Sequence, residues 1–331
     1  MVVVLALSLL LLFLLRSEYN KTLNAITIVS LLWGVSWLCI LQLELFGQGT
    51  STYGSDETVY LNTMMQALES DNWFEIARED YNFTYILYGF FILKTSFIQS
   101  VFMIRLCNVL LLINSMVICY KVLKKFFNTN PKHLYYCMWF IGLNGIITWT
   151  AIRNLKDVMF LFLLVSLIYY LLDFFMNRKW SIFRIVLMVG ICYVLQDIRQ
   201  WFLYLFAGMI VIGIGGVLLK KRKYFLAISL AAVSVILLLS FYSRGLSTML
   251  LYRVAYSETQ STVLGGDAIT GLINGGLLSL PMSMARFILG PGPIRGLFGS
   301  EAFLTYTQTG NVLIFLGGMA WWIFLPLFIM S

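Results

Sequence analysis

Three short stretches place charged side chains in a chain that is otherwise apolar. Residues 54–60 read GSDETVY, with Asp56 and Glu57 adjacent. Residues 152–158 read IRNLKDV, with Arg153, Lys156 and Asp157. Residues 195–201 read LQDIRQW, with Asp197 and Arg199. A positioned carboxylate takes a proton from an attacking hydroxyl. Arginine binds phosphate oxygens through two parallel hydrogen bonds and stays charged at any working pH. The combination suits a base set beside an anion. Each group also has a plain structural use. Asp56 and Glu57 fit the first turn of a helix capped by Ser55, where negative charge meets the helix dipole. Arg153 and Asp157 are spaced to pair across one turn. Asp197 and Arg199 can simply punctuate a short loop.

The elements that must carry these residues follow from composition. The chain has 331 residues, 60% hydrophobic, 16% aromatic and 11% charged. A soluble domain carries about 25% charged residues. This composition predicts an all-α, polytopic transmembrane helical bundle, since lipid offers no hydrogen bonds and the backbone must satisfy its own polar groups. The apolar runs are continuous, which favours helices over a barrel. Spans are predicted near 2–16, 24–46, 99–121, 134–151, 157–175, 182–196, 201–219, 224–242 and 309–330, about nine in all. The first has no basic segment before it, so it reads poorly as a signal peptide. One integral membrane domain over 1–331 is the simplest partition.

Sidedness follows from basic residues. Arg16, Lys21, Lys121, Lys124, Lys125, Lys132, Arg178, Lys179, Arg184 and the KKRK run at 220–223 fall on one set of connections. They are more than half of the 23 lysines and arginines, and only Glu18 and Asp173 oppose them there. The positive-inside rule makes that face cytoplasmic. The net charge of +8 is then a topology signal that meets anionic lipid, and no soluble basic module for nucleic acid is visible. The loops 47–98 and 243–308 fall outside the cytoplasm, with Asp56 and Glu57 in the first.

A full crossing by 82–98 would reverse every later loop, so that segment is expected to be re-entrant or to lie along the membrane. Residues 58–79 suit an interfacial amphipathic helix, with Tyr60, Met64 and Leu68 on one stripe and Asn62, Gln66 and Glu69 on another. Arg105 lies in the outer third of its span and must snorkel or find a partner. The segment 280–299 holds a GPGP turn and reads as a dip that returns Arg295 to the surface. The glycines of GMIVIGIGG (208–216) lie inside a span and read as close helix packing. The five cysteines all fall in apolar stretches, and the lone His133 sits beside Lys132, so neither points to a zinc site.

The acidic pair in the first large outer loop, followed by 58–98 and many spans, resembles the polyprenyl-phosphate-dependent membrane glycosyltransferases of the GT-C type. IRNLKDVMFLFLL (152–164) and FILGPGPIRGL (287–297) look like stretches of bacterial surface-polysaccharide polymerases. The resemblance implies transfer or polymerisation of sugars from a polyprenyl-(di)phosphate-linked donor to a glycan or lipid-linked acceptor, at the outer face of a bacterial plasma membrane. It implies Asp56 as general base, with Glu57 supporting it or binding sugar hydroxyls. Arg153, Lys156, Arg199, Arg286 and Arg295 would hold the lipid phosphate, supported by Asp157 and Asp197. Cations placed where charge grows stabilise the transition state. No cofactor is required, and a divalent cation is compatible with the chemistry. A transporter or flippase of lipid-linked oligosaccharides is the rival expectation. It calls for charges deep in the bilayer, broken helices and paired repeats.

Overall fold

In the computed structural model the described residues are 1–80, 82–177, 181–199, 202, 203, 206, 207 and 307–330. Among them the chain forms eleven α-helices and no strand. They are α1 Val2–Arg16, α2 Lys21–Gly47, α3 Gly54–Glu69, α4 Trp73–Glu79, α5 Phe83–Thr95 and α6 Val101–Phe127. Then follow α7 Pro131–Leu143, α8 Gly145–Ala151, α9 Asp157–Asn177, α10 Ile182–Ile198 and α11 Gln308–Met330. By contacts the chain divides into two compact units; the first joins 1–199 to α11 and holds everything described below. The predicted spans at 201–219 and 224–242, the GPGP segment, and Arg286 and Arg295 lie outside the described residues.

Continuous apolar runs make these helices, and polar caps bound them. Asn20 Oδ1 accepts from Leu23 N at 3.1 Å to start α2. Ser100 Oγ starts α6, and Asn130, followed by Pro131 at the first helical position, starts α7. At the end of α6, Asn128 turns into the left-handed region at φ 46°. Among the described residues three helices are long and apolar enough to cross a membrane: α2, α6 and α9. Of the apolar stretch of α6, 83% is buried, against 33% for α2 and 22% for α9. The centre of this unit is therefore α6, with α1, α2, α7 and α9 packed around it.

Polar contacts fix the helix directions. At one end Lys121 meets Ser17, Lys124 pairs with Glu18 at 2.7 Å, and Asp173 is held between Lys125 and Arg184. That end gathers the C-termini of α1, α6 and α9 and the start of α10. The two acids expected on the basic face are thus both ion-paired there. At the opposite end lie Arg105 of α6, Gln42 near the C-terminus of α2, Asp157 opening α9, and Arg199 after α10.

Two predicted elements are corrected. The span at 134–151 is two helices, broken at Asn144. The Asn144 Oδ1 accepts from Ile146 N and Ile147 N at 3.0 and 3.1 Å, so it caps α8 instead of continuing α7. The break lets α8 meet α11 backbone to backbone. A Cβ on Gly145 would lie 1.9 Å from Leu313 O, and one on Gly317 2.4 Å from Ile146 N. The amphipathic segment 58–79 is likewise two helices, α3 and α4, separated by residues 70–72. Tyr60 and Met64 are buried as the stripe predicts, and Asn62, Gln66 and Glu69 are exposed.

Both ends of α5 lie at the polar end of the bundle. At its start, Thr84 N donates to Asp197 Oδ2 at the C-terminus of α10, at 2.7 Å. At its finish, Thr95 is six residues from Val101, where α6 begins. Its buried face, Tyr85, Ile86, Ile92 and Leu93, packs on Ile104 and Cys107 of α6 and on Val3, Val4 and Leu7 of α1. This helix therefore does not run from one end of the bundle to the other.

Candidate functional site

The site begins at the first turn of α3. Gly54 has φ +79°, a conformation that an L side chain resists, and it brings the chain sharply into the helix. The cap position is Tyr53, two residues earlier than the Ser55 cap expected from the sequence, and no side-chain oxygen caps the helix from there. Glu57 reaches back instead: its Oε2 accepts from Tyr53 N at 3.1 Å.

Glu57 is fully buried and holds two arginines. Its Oε2 lies 2.7 Å from Arg105 Nη2, and its Oε1 lies 2.8 Å from Arg153 Nε. Arg105 is also fully buried, and its Nη1 donates to Gln42 Oε1 at 3.0 Å. The partner that Arg105 needed inside its span is therefore Glu57, with Gln42 beside it. One carboxylate with two guanidinium groups leaves this cluster with a net charge of +1.

Arg153 is the solvent-side member. Its guanidinium carbon lies 4.6 Å from the Tyr53 ring centroid and 5.4 Å from that of Trp149. Nη2 donates to Tyr53 O at 3.4 Å, while Nη1 has no hydrogen bond among the described residues. The side chain keeps 19% of its surface exposed. The loop that carries it is pinned by two buried asparagines. Asn108 of α6 donates to Arg153 O and Leu155 O at 3.0 and 3.3 Å. Asn154 donates to Glu57 O at 3.3 Å and accepts from the Tyr85 hydroxyl at 2.8 Å.

A second group of charges lies beside this triad. Lys156 donates to Asn82, whose own N–H and side-chain amide donate to Asp80 Oδ1 at 2.8 and 3.1 Å. Asp157 pairs with Arg199. Burial, and then the charge of Arg199, lower the Lys156 pKa, against the pull of Asp157, Asp80 and Asp56. Burial, and then Asp56, push the Tyr60 phenol up to about 12; Asp157 and Asp80 act the same way and Arg199 opposes. Tyr60 and Lys156 thus share the same four charged neighbours. Asp56 is exposed and makes no hydrogen bond or ion pair among the described residues.

The structure brings Asp56, Glu57, Arg153, Lys156, Asp157, Asp197 and Arg199 to one end of the bundle. It separates their roles. Glu57 was expected as a second catalytic or sugar-binding carboxylate, but both its oxygens are occupied and closed to solvent. In this geometry both oxygens are engaged by arginines. The Arg153–Asp157 pair expected from their spacing is not formed, because residues 152–156 leave the helix and each takes another partner. Asp197 holds the start of α5 through Thr84. The Tyr53 ring is engaged by Arg153 and the Trp73 ring by Phe90, 4.9 Å away and nearly parallel. Arg105, Gln42, Asn154 and Tyr60 were not in the expected site. The available signal was the stripe Glu57–Tyr60–Met64, which marks Glu57 as an inward position. Compared with family models, curated proteins and solved structures, the chain finds no match in any of the three.

Proposed function

We propose that this chain is a polytopic membrane glycosyltransferase of about nine spans that takes its sugar from a polyprenyl-(di)phosphate-linked donor. The observation that carries the reading is an exposed carboxylate, Asp56, without an ion pair among the described residues, set next in sequence to Glu57, which holds the solvent-side guanidinium of a net-positive cluster. Both are arranged around the first turn of α3. In the reaction, an acceptor hydroxyl oxygen attacks the anomeric carbon and its proton passes to Asp56. The bond from that carbon to the phosphate oxygen breaks, and the electron pair stays on the phosphate. Arg153 meets that growing charge, with Lys156 and Arg199 nearby and with Arg286 and Arg295 as expected contributors. A divalent cation is compatible with this scheme. The basic residues at the other end make the site extracytoplasmic by the positive-inside rule, in a bacterial plasma membrane.

The rival is a flippase of lipid-linked oligosaccharides. Two observations favour it: the helix break at Asn144 and the fully buried Arg105–Glu57 pair. The break lies in the half of α7–α8 nearer the polar end, and Arg105 is in the second turn of α6, so both sit close to one end. That placement suits chemistry at one face better than passage through the middle.

The test is incubation of the purified protein in nanodiscs with a radiolabelled polyprenyl-linked sugar and a glycan acceptor. Label in a new glycan supports transfer. Label that changes leaflet in vesicles without any new glycosidic bond supports the flippase and ends the enzymatic reading.

A further inference from the structure

Arg153 faces outward, but the charge that makes it useful to an anion comes from a residue no substrate can reach. A single arginine paired with a single glutamate is electrically balanced, and an incoming phosphate gains little from it. Here Glu57 is shared. Arg105 Nη2 and Arg153 Nε sit 2.7 and 2.8 Å from its two oxygens. Among the described residues Arg105 has no second carboxylate; its other hydrogen bond goes to the neutral amide of Gln42, at 3.0 Å. Arg105 and Glu57 are both closed to solvent, so water screens their field weakly. The aromatic rings of Tyr53 and Trp149 and the hydrogen bond from Arg153 Nε fix the guanidinium in place, so its Nη1 edge needs no reorganisation to bind.

We infer that Arg105 is the electrostatic source of a phosphate site whose contact residue is Arg153, with Glu57 as the shared counter-charge and Gln42 the neutral partner that keeps the excess. The ligand class is a phosphate mono- or diester oxyanion; resting on the reading above, it is the phosphate of the polyprenyl carrier. Arg105 is a positioning residue: it touches no ligand and acts through Glu57 and through space.

Charge variants separate this role from a merely structural one. Gln42→Glu is isosteric and strengthens the hydrogen bond to Arg105, so a structural role leaves phosphate binding unchanged or improved. The electrostatic role makes the cluster neutral and weakens binding about tenfold, the size expected for one unit charge acting from about 12 Å in an effective dielectric near 20. Arg105→Gln makes the cluster neutral by another route and gives the same loss, while Glu57→Gln raises its charge and does not weaken binding. The probes are polyprenyl phosphate in nanodiscs and inorganic phosphate, with dissociation constants measured for the intact chain and for each variant that keeps its wild-type unfolding temperature. Weakening of both probes in Gln42→Glu assigns the effect to the phosphate group, and weakening of polyprenyl phosphate alone assigns it to the lipid carrier; either supports the inference. A Gln42→Glu variant that binds polyprenyl phosphate as tightly as wild type overturns it, as does a wild-type protein that binds neither probe. Sugar transfer is measured separately. Binding that follows charge without any transfer keeps this inference and sinks the enzyme, whereas transfer with charge-independent binding does the reverse.

Discussion

Asp56 and Glu57 are neighbours in sequence with opposite fates. Adjacent helical residues point about 100° apart. Glu57 shares the inward face with Tyr60 and Met64, and Asp56 is turned to solvent. Burying one carboxylate between two guanidinium groups makes its removal costly. Glu57→Ala leaves two buried charges unmatched and is expected to cost about 3–5 kcal/mol, read as a lower unfolding temperature in detergent. Asp56→Ala should leave that temperature unchanged. Lys156 adds a pH dependence. Its pKa is depressed, so its charge costs stability at low pH, and the ammonium is lost at a lower pH than that of an ordinary lysine. Phosphate affinity that uses Lys156 should therefore fall as pH rises through that lowered value. Lys156→Arg should keep the affinity on the alkaline side, and an unchanged alkaline limb in that variant would remove Lys156 from the site. The acidic pair and IRNLKDV stood out as candidate chemistry from residue type alone. Their pairing was not, because Arg105 and Gln42 reach the site from helices that are distant in sequence.

Among the elements, α5 and α8 do the positioning. A 13-residue apolar helix such as α5 is short for a span, and its two ends meet the same end of the bundle. The expectation that 82–98 is re-entrant or lies along the membrane rested only on charge bookkeeping across the loops; the Thr84–Asp197 hydrogen bond places the start of α5 beside the C-terminus of α10. The break between α7 and α8 was hidden from sequence. The run 134–151 is apolar almost throughout, and an asparagine in such a run is compatible with an unbroken helix. The cause lies in the partner: α8 can approach α11 so closely only because Gly145 faces Leu313 and Gly317 faces Ile146. Gly145→Ala should force the backbones apart and cost about 1–3 kcal/mol, as overpacking does. Gly190→Ala is the control, since nothing lies within 4 Å of its added carbon. Equal unfolding temperatures for the two variants would contradict the close contact.

At the scale of the molecule, one end of the described unit is basic and the other carries the candidate site. Helix class and the three membrane-length helices α2, α6 and α9 were readable from hydropathy, because apolar length is a one-dimensional property. Which charges neutralise one another is a three-dimensional property and was not readable. If the bundle sits in the membrane as proposed, cysteines introduced at Glu69 and Phe97 should both be labelled from outside the cell, and one at His133 only after permeabilisation. Opposite labelling of the first two would make α5 a crossing and invert the later loops. The central claim is chemical, however, and Asp56 tests it most directly. Purified wild-type and Asp56→Asn proteins are incubated with defined polyprenyl-linked sugars and acceptors, and the products are read by mass. The account predicts a new glycoside from wild type, and from Asp56→Asn a folded protein that still binds polyprenyl phosphate but makes at least 100-fold less product, within the range of a lost general base. Full product from Asp56→Asn would contradict it.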